Sequence, residues 1–572
     1  MSAYTSGVAM GMGSLPRVRG RAWPPRPAAT SLARWCAAVP SGPKRPGGHT
    51  PSPTTPERSP MSRRLVASSL AAALLALVPN ALPRSADAAT TPGLRWAKCA
   101  DVRTHQCVRF SVPLDRNNPA AGSTTIAVER RRASVPSARV GAIFVNPGGP
   151  GEAATAKVDD FARMLGRKVT DRFDIVAVDP RGVGRSTQVS CTTRPGTSTP
   201  PSLEPGFPVT VAEARAQISH DDAVRAACRR TGGPLLHHMT TADDARDMDQ
   251  VRALLGDRQL TFVGFSYGTV LGQTYAAMYP SQVRAMVLDG VLDPVQWTAG
   301  SRSRYVPIGA RLHTGDGAWA AVRQAYAQCQ RAGKAKCASA ARGIAEWNTV
   351  WSLLVKSPRT VWGSRFTWAD LVTNTLYSLY DPGTVPGALD DVHNLYLALT
   401  GKQVSPAAAT ATVDRQASPA RQGFGLPGEV LEVTRQAVMC SDSLDPYDRW
   451  ATWRAAAATR DRTRGFDAAG AWSSSLCTSW PGAGKGAYRG PFDRRPATPI
   501  LFMNALYDPA TSIVGARSAH AMSPGSRLVT GNKVGHLLLN DSACATRIRT
   551  NYLLTKALPA RDVACTDVRP LY

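Results

Sequence analysis

Apolar positions in this chain fall into two kinds of run, and their order predicts a parallel sheet wrapped by helices. The runs at 140–145, 173–178 and 283–289 are short and apolar almost throughout, as strands covered on both faces are; so are the runs that open 259–269 and 498–509. Residues 124–130 alternate instead, like a strand with one face in solvent. Between the runs lie helical patterns. Thr240 caps the one over 240–256, acidic residues crowd its first turns and Gly256 ends it, in line with the helix dipole. Its acids read as a solvated face. A second helix is predicted over 270–279, closed by Pro280. Strands alternating with helices imply a parallel sheet.

The pattern breaks at both ends of this core. From about 293 to 495 the chain is helical and irregular, rich in Ala, Arg and Trp, with no run resembling a central strand. That stretch reads as a cap inserted after the sixth core strand, between a first core part at 89–292 and a C-terminal part at 496–572. A single compact core could not absorb this length. At the other end, residues 1–60 are rich in Pro, Gly, Arg and Ser without apolar periodicity, and are read as a non-native or disordered upstream extension. Met61 then starts a secretory pattern: basic Arg63 and Arg64, an apolar stretch from Leu65 to Val78, and a small-x-small cleavage site ending at Ala88. The stretch is shorter than the roughly 20 residues a membrane span needs, and Pro79 follows it. The expected product is secreted, extracellular and without a stable membrane anchor.

Cysteine and charge fit that compartment. Beyond Cys36 there are ten cysteines, Cys99, Cys107, Cys191, Cys228, Cys329, Cys337, Cys440, Cys477, Cys544 and Cys565. An even number in a secreted chain suggests disulfides, and the expected pairing joins neighbours in order. No C-x-x-C occurs and His237-His238 has no third ligand in view, so no metal site is expected. The formal net charge is +27, and the charge is dispersed as Arg rather than gathered beside aromatics. A nucleic-acid partner is therefore not expected; a solvated surface suited to an anionic cell-wall setting is.

The chemistry gathers at strand ends. The run at 259–265 collides with Gly264-Phe265-Ser266-Tyr267-Gly268, the G-x-S-x-G pattern of an α/β-hydrolase nucleophile elbow, so Ser266 is the candidate nucleophile. The run at 140–145 ends in Asn146-Pro-Gly-Gly-Pro-Gly151, where glycine backbone can offer N–H groups to an oxyanion. The run at 173–178 ends in Asp179-Pro-Arg-Gly182. After the cap, Asp508 follows a strand and His536 precedes the apolar stretch 537–539. Ser266, Asp508, His536 is the chain order of nucleophile, acid and base in this fold. The expected oxyanion donors are the N–H of Tyr267 and one from the Gly148-Gly149 turn, that of Gly149. No cofactor is required.

These segments, together with Thr240-Thr-Ala-Asp243, Cys440-Ser-Asp442, Cys477-x-x-Trp-Pro481 and Asn504-x-x-x-Asp508-Pro509, resemble the secreted tripeptidyl aminopeptidases from about Leu94 to Cys565. That family comprises α/β-hydrolase serine exopeptidases related to proline iminopeptidases. The resemblance implies release of short peptides, typically tripeptides, from the free N-termini of peptides or small proteins. It also implies a cap-borne anionic group for the substrate ammonium; Glu152, Glu432 and Asp442 are the candidates. The chain departs from the family pattern at Glu152-Ala-Ala154, where Gly-Ser-Gly is usual, and before Gly535-His536, where an aromatic residue is common. A secreted carboxylesterase or other acyl hydrolase is the competing reading, because the triad alone does not separate ester from amide. A non-catalytic binding protein would lack a triad member, and none is lacking.

Overall fold

Runs apolar at every position become strands covered on both faces. The computed structural model describes residues 94–572 apart from 193–201, 204–205, 300–304, 418–429, 432, 447, 483 and 485. The expected extension at 1–60 and leader at 61–88 lie outside the described residues. The strands in chain order are β1 (Ala97–Lys98), β2 (Gln106–Pro113), β3 (Ser123–Arg131), β4 (Gly141–Asn146), β5 (Phe173–Asp179), β6 (Cys191–Thr192), β7 (Leu260–Phe265), β8 (Val283–Asp289), β9 (Arg359–Val361), β10 (Ser364–Phe366), β11 (Val430–Leu431), β12 (Leu501–Tyr507), β13 (Arg527–Val534) and β14 (Val563–Cys565). Ten of them make one sheet in the order β1-β2-β3-β5-β4-β7-β8-β12-β13-β14. It is parallel from β5 to β14, with β1, β2 and β3 antiparallel at one edge. This is an α/β-hydrolase fold.

Alternation within a strand decides which helices each residue meets. Ala142 and Phe144 of β4 pack, with Phe262 and Leu288, against the helices Thr241–Leu254, Gly268–Met278 and Ile513–Met522. Ile143 and Val145 face the other way, toward the helices Val158–Leu165 and Ala543–Thr555. β3 is more buried than its alternation predicts, because it sits between β2 and β5 rather than at an edge.

β8 and β12 are neighbours in register, Leu501 opposite Val287, so everything between them is an excursion from the sheet. The excursion builds its own core around Trp319, Trp347, Trp351, Trp368, Trp453 and Trp472. One element of that core comes from elsewhere. The helix Val211–Thr231, started by a capping box of Thr210 and Glu213, contributes Ala214 and Ile218 to it. Five disulfides join sequence neighbours: Cys99–Cys107, Cys191–Cys228, Cys329–Cys337, Cys440–Cys477 and Cys544–Cys565.

The acids of the helix Thr241–Leu254 do not form the solvated face expected of them. Asp243, Asp244 and Asp247 are buried because Arg181, itself fully buried, lies among them. Its guanidinium holds Asp247 at 2.7 and 3.1 Å and donates to the carbonyls of Pro113 and Leu114. Burial, then the neighbouring Asp247 charge, pushes the Asp244 carboxyl well above the usual range.

Candidate active site

β7 delivers Ser266 by turning straight into the helix Gly268–Met278. Ser266 has φ 53°, the left-handed region that a non-glycine residue occupies only when its surroundings force it. The flanking Gly268 is forced too: a Cβ there would stand 2.8 Å from the Asn146 carbonyl oxygen. Strand β4 thus ends directly against the elbow.

The loop after β4 presses on the same point. A Cβ on Gly148 would lie 2.6 Å from the Phe265 carbonyl oxygen, 2.9 Å from Ser266 Cβ and 3.1 Å from the Tyr267 nitrogen. The Gly148 N–H is engaged by Asn146 Oδ1 at 3.0 Å. The N–H groups of Gly149 and Tyr267 have no backbone or side-chain partner among the described residues. Behind the loop, Asp179 at the end of β5 accepts from the Thr155 N–H and hydroxyl and from the Arg185 N–H, so it braces the far end of the loop after β4.

Asp508 and His536 meet beyond the ends of β12 and β13. His536 Nδ1 stands 3.0 Å from each Asp508 carboxylate oxygen. Asp508 is fully buried, and it also accepts from the N–H groups of Ala510, Thr511 and Leu537. Burial alone would raise its pKa; the His536 charge, its hydrogen bond and those backbone donors outweigh burial and hold the carboxyl below the usual range. A carboxylate at Nδ1 selects the tautomer that leaves Nε2 free to accept a proton. Thr511 Oγ1 lies 3.5 Å from the same Nδ1.

Ser266 and His536 flank the end of β8. The Ser266 N–H donates to the Asp289 carbonyl at 3.0 Å, and a Cβ on the next residue, Gly290, would be 3.4 Å from His536 Cε1. Asp289 is a positioning residue the sequence reading missed. Its carboxylate accepts from Leu538 and Leu539, just past His536.

The three candidate carboxylates are placed differently. Glu152 is exposed beside Gly149. Glu432 lies outside the described residues. Asp442 is buried, and its oxygens accept from the Thr241 N–H at 2.9 Å, the Thr241 hydroxyl at 2.5 Å and Trp297 Nε1 at 2.9 Å. The Thr241 hydroxyl also meets the Tyr267 phenol at 2.6 Å, so Asp442 reaches the elbow from behind. Burial pushes its pKa up to about 6 against those donors. Thr241 lies in the Thr240-Thr-Ala-Asp243 motif, but nothing in sequence pointed to its pairing with Asp442 or to Trp297 and Tyr380. Tyr380 packs edge-on to the His536 ring, centroids 5.2 Å apart. Among the described residues no helix is long and apolar enough to cross a membrane.

Comparison with known proteins agrees with this fold. Residues 141–312 match the α/β hydrolase fold family, and residues 463–565 match the family of TAP-like proteins. The chain is 29% identical over 506 residues to a tripeptidyl aminopeptidase of Streptomyces lividans, covering 83% of this chain and 87% of that one. It is 31% identical over 287 residues to the serine protease Hip1 of Mycobacterium tuberculosis, covering 48% of this chain and 53% of that one. It is also 28% identical over 544 residues to a carboxylesterase B of the same species, covering 89% of this chain and 98% of that one.

Proposed function

The chain is an α/β-hydrolase related to the tripeptidyl aminopeptidases, and from that premise we propose that it is a secreted serine exopeptidase acting through Ser266, His536 and Asp508. It releases short peptides, tripeptides in the first instance, from free N-termini. The observation that carries the reading is the pairing of His536 Nδ1 with a buried, ionised Asp508 at strand ends beside the strained elbow of Ser266.

A serine hydroxyl is a weak nucleophile, so His536 Nε2 takes its proton as Oγ attacks the scissile carbonyl. Asp508 holds the imidazole in orientation and stabilises its cation without itself taking the proton. The N–H groups of Tyr267 and Gly149 receive the oxyanion, and each such donor contributes about 3 kcal/mol of transition-state stabilisation. His536 then protonates the departing amine; water repeats the sequence on the acyl-enzyme. Residues 293–495 serve as the cap that excludes water and bounds the peptide. Of the two candidate carboxylates among the described residues, Glu152 is the one open to a substrate ammonium, since the Asp442 oxygens are engaged by Thr241 and Trp297.

Secretion is supported by the five disulfides and the leader pattern from Met61. N-terminal sequencing of the exported protein tests it, with a start near Ala89 expected. A panel of tripeptidyl and aminoacyl anilides, N-blocked peptides and simple esters tests the activity, with Ser266→Ala as control. Cleavage of free tripeptidyl substrates well above N-blocked ones is expected. Turnover of esters alone would favour the second reading, a carboxylesterase, which the end-to-end similarity to carboxylesterase B supports.

A further inference from the structure

Tyr380 does more than wedge His536. It follows the helix Trp368–Ser378 and buried Leu379, and its carbonyl accepts the His536 N–H at 3.1 Å, so its backbone is fixed from both sides. The residue is nevertheless 42% exposed, and Tyr377, stacked on it with centroids 6.3 Å apart, is 36% exposed. The Tyr380 phenol has no hydrogen-bond partner among the described residues. A tyrosine kept only to pack an imidazole would be covered, since leaving a large aromatic face in water forgoes the free energy of burying it.

We infer that Tyr380, backed by Tyr377, forms the leaving-group subsite, taking a large apolar or aromatic side chain on the residue just after the scissile bond. This rests on the acyl-enzyme reading above. His536 Nε2 must come within hydrogen-bond reach, about 3 Å, of the departing nitrogen. The side chain of that residue starts two bonds away, and the Tyr380 ring centroid is only 5.2 Å from that of the imidazole. Ring stacking and apolar burial then select for size at this position.

Acyl transfer isolates this subsite. Acyl-enzyme is formed from a tripeptidyl ester or anilide in the presence of glycinamide, leucinamide or phenylalaninamide, and products are counted by mass. In the transfer step the amine nitrogen bonds to the acyl carbon, the bond to Ser266 Oγ breaks, and the amine proton passes through His536 to Oγ. Native enzyme is expected to choose phenylalaninamide over glycinamide by about tenfold, the scale of one stacked ring. Tyr380→Ala is expected to bring that ratio close to one, Tyr377→Ala to lower it partway, and Tyr380→Phe to retain it. Because both amines compete for one acyl-enzyme and one base, damage to His536 or to folding cancels in the ratio. An unchanged ratio in Tyr380→Ala, or no preference in the native enzyme, overturns the subsite. If only the ester acylates, the exopeptidase reading fails while the subsite is still measured.

Discussion

Asp289 holds Ser266 with its main chain and the segment after His536 with its side chain: its carbonyl accepts the Ser266 N–H, and its two carboxylate oxygens accept from Leu538 and Leu539 at 2.9 and 2.8 Å. One buried residue thus ties the Ser266 elbow to the segment just after His536. In Asp289→Asn an amide NH₂ must face one of those two N–H groups. A loss of about 2 kcal/mol in unfolding free energy is expected from the unpaired donors, together with a fall in kcat of about a hundredfold at little changed KM, the mark of misplaced reacting groups. Wild-type kcat in a folded variant would remove Asp289 from this role.

Asp508→Asn keeps the shape of the acid but reverses the logic at His536 Nδ1, because an amide can donate there and stabilise the wrong tautomer. The expected fall in kcat is about 10⁴-fold at neutral pH, by analogy with the acid of other serine triads. Adding Ser266→Ala to Asp508→Asn should cost little beyond Ser266→Ala alone, since the residues act as a unit. Release of the aniline from a tripeptidyl anilide under saturating conditions reads both, residual hydrolysis included.

Asp442 carries a pH signature. Its folded carboxyl keeps a proton up to about pH 6, whereas the free group loses it near 3.8. Within that window the native state binds more protons than the unfolded one. The stability this contributes is present below about 3.8, falls as pH rises to about 6 and is constant above. Asp442→Asn cannot titrate, so the difference in unfolding free energy between the two proteins should change by up to about 3 kcal/mol across the window. Urea melts at steps from pH 4 to 7 measure it. A constant difference would mean that Asp442 ionises normally.

Much of this site was legible because it is local. Ser266 and Asp508 each follow an apolar run and His536 precedes one, and a run plus a turn is visible in sequence. What was not legible depends on distant segments meeting. The acids at 243, 244 and 247 look solvated on a helical wheel, since nothing nearby announces Arg181 entering from the turn after β5. Tyr380 lies in a stretch patterned like any cap helix end, and only the folded chain brings it to His536. The helix Val211–Thr231 reads as part of the core by position, yet its Ala214 and Ile218 pack with residues of the 293–495 excursion while Val224 and Ala227 pack elsewhere.

Gly148 sets how closely the loop after β4, the proposed oxyanion loop, approaches the elbow. Its φ of 106° already disfavours any side chain, and a Cβ would meet the Phe265 carbonyl at 2.6 Å. Gly148→Ala must therefore push the loop off Ser266. The expected result is a fall in kcat of about 10²- to 10³-fold, the scale of losing one oxyanion donor, with KM for the same anilide changed far less. Equal losses in binding and turnover would instead indicate a collapsed cleft.

The bridge Cys440–Cys477 should matter to catalysis as well as to stability, and Cys329–Cys337 to stability alone. The first spans 37 residues and ends in the helix Thr434–Asp442, which carries Asp442 and sets the Arg435 nitrogen 3.4 Å from a Cβ on Gly151. The second spans 8 residues at the far end of the helix Thr314–Ala332. Near its start that helix touches the Asp508 carbonyl through Gly317, about 18 Å from Cys329 along its axis. Loop closure makes the larger bridge worth about 4 kcal/mol and the smaller about 2.5 kcal/mol. Cys440→Ser with Cys477→Ser is expected to lower both Tm and kcat, because Asp442 and through Thr241 the Tyr267 ring lose their anchor. Cys329→Ser with Cys337→Ser is expected to lower Tm and leave kcat within about twofold, since the Gly317 contact with Asp508 lies about three turns of helix away from Cys329. Equal effects of the two pairs on kcat would show that the helix Thr434–Asp442 has no privileged hold on the elbow.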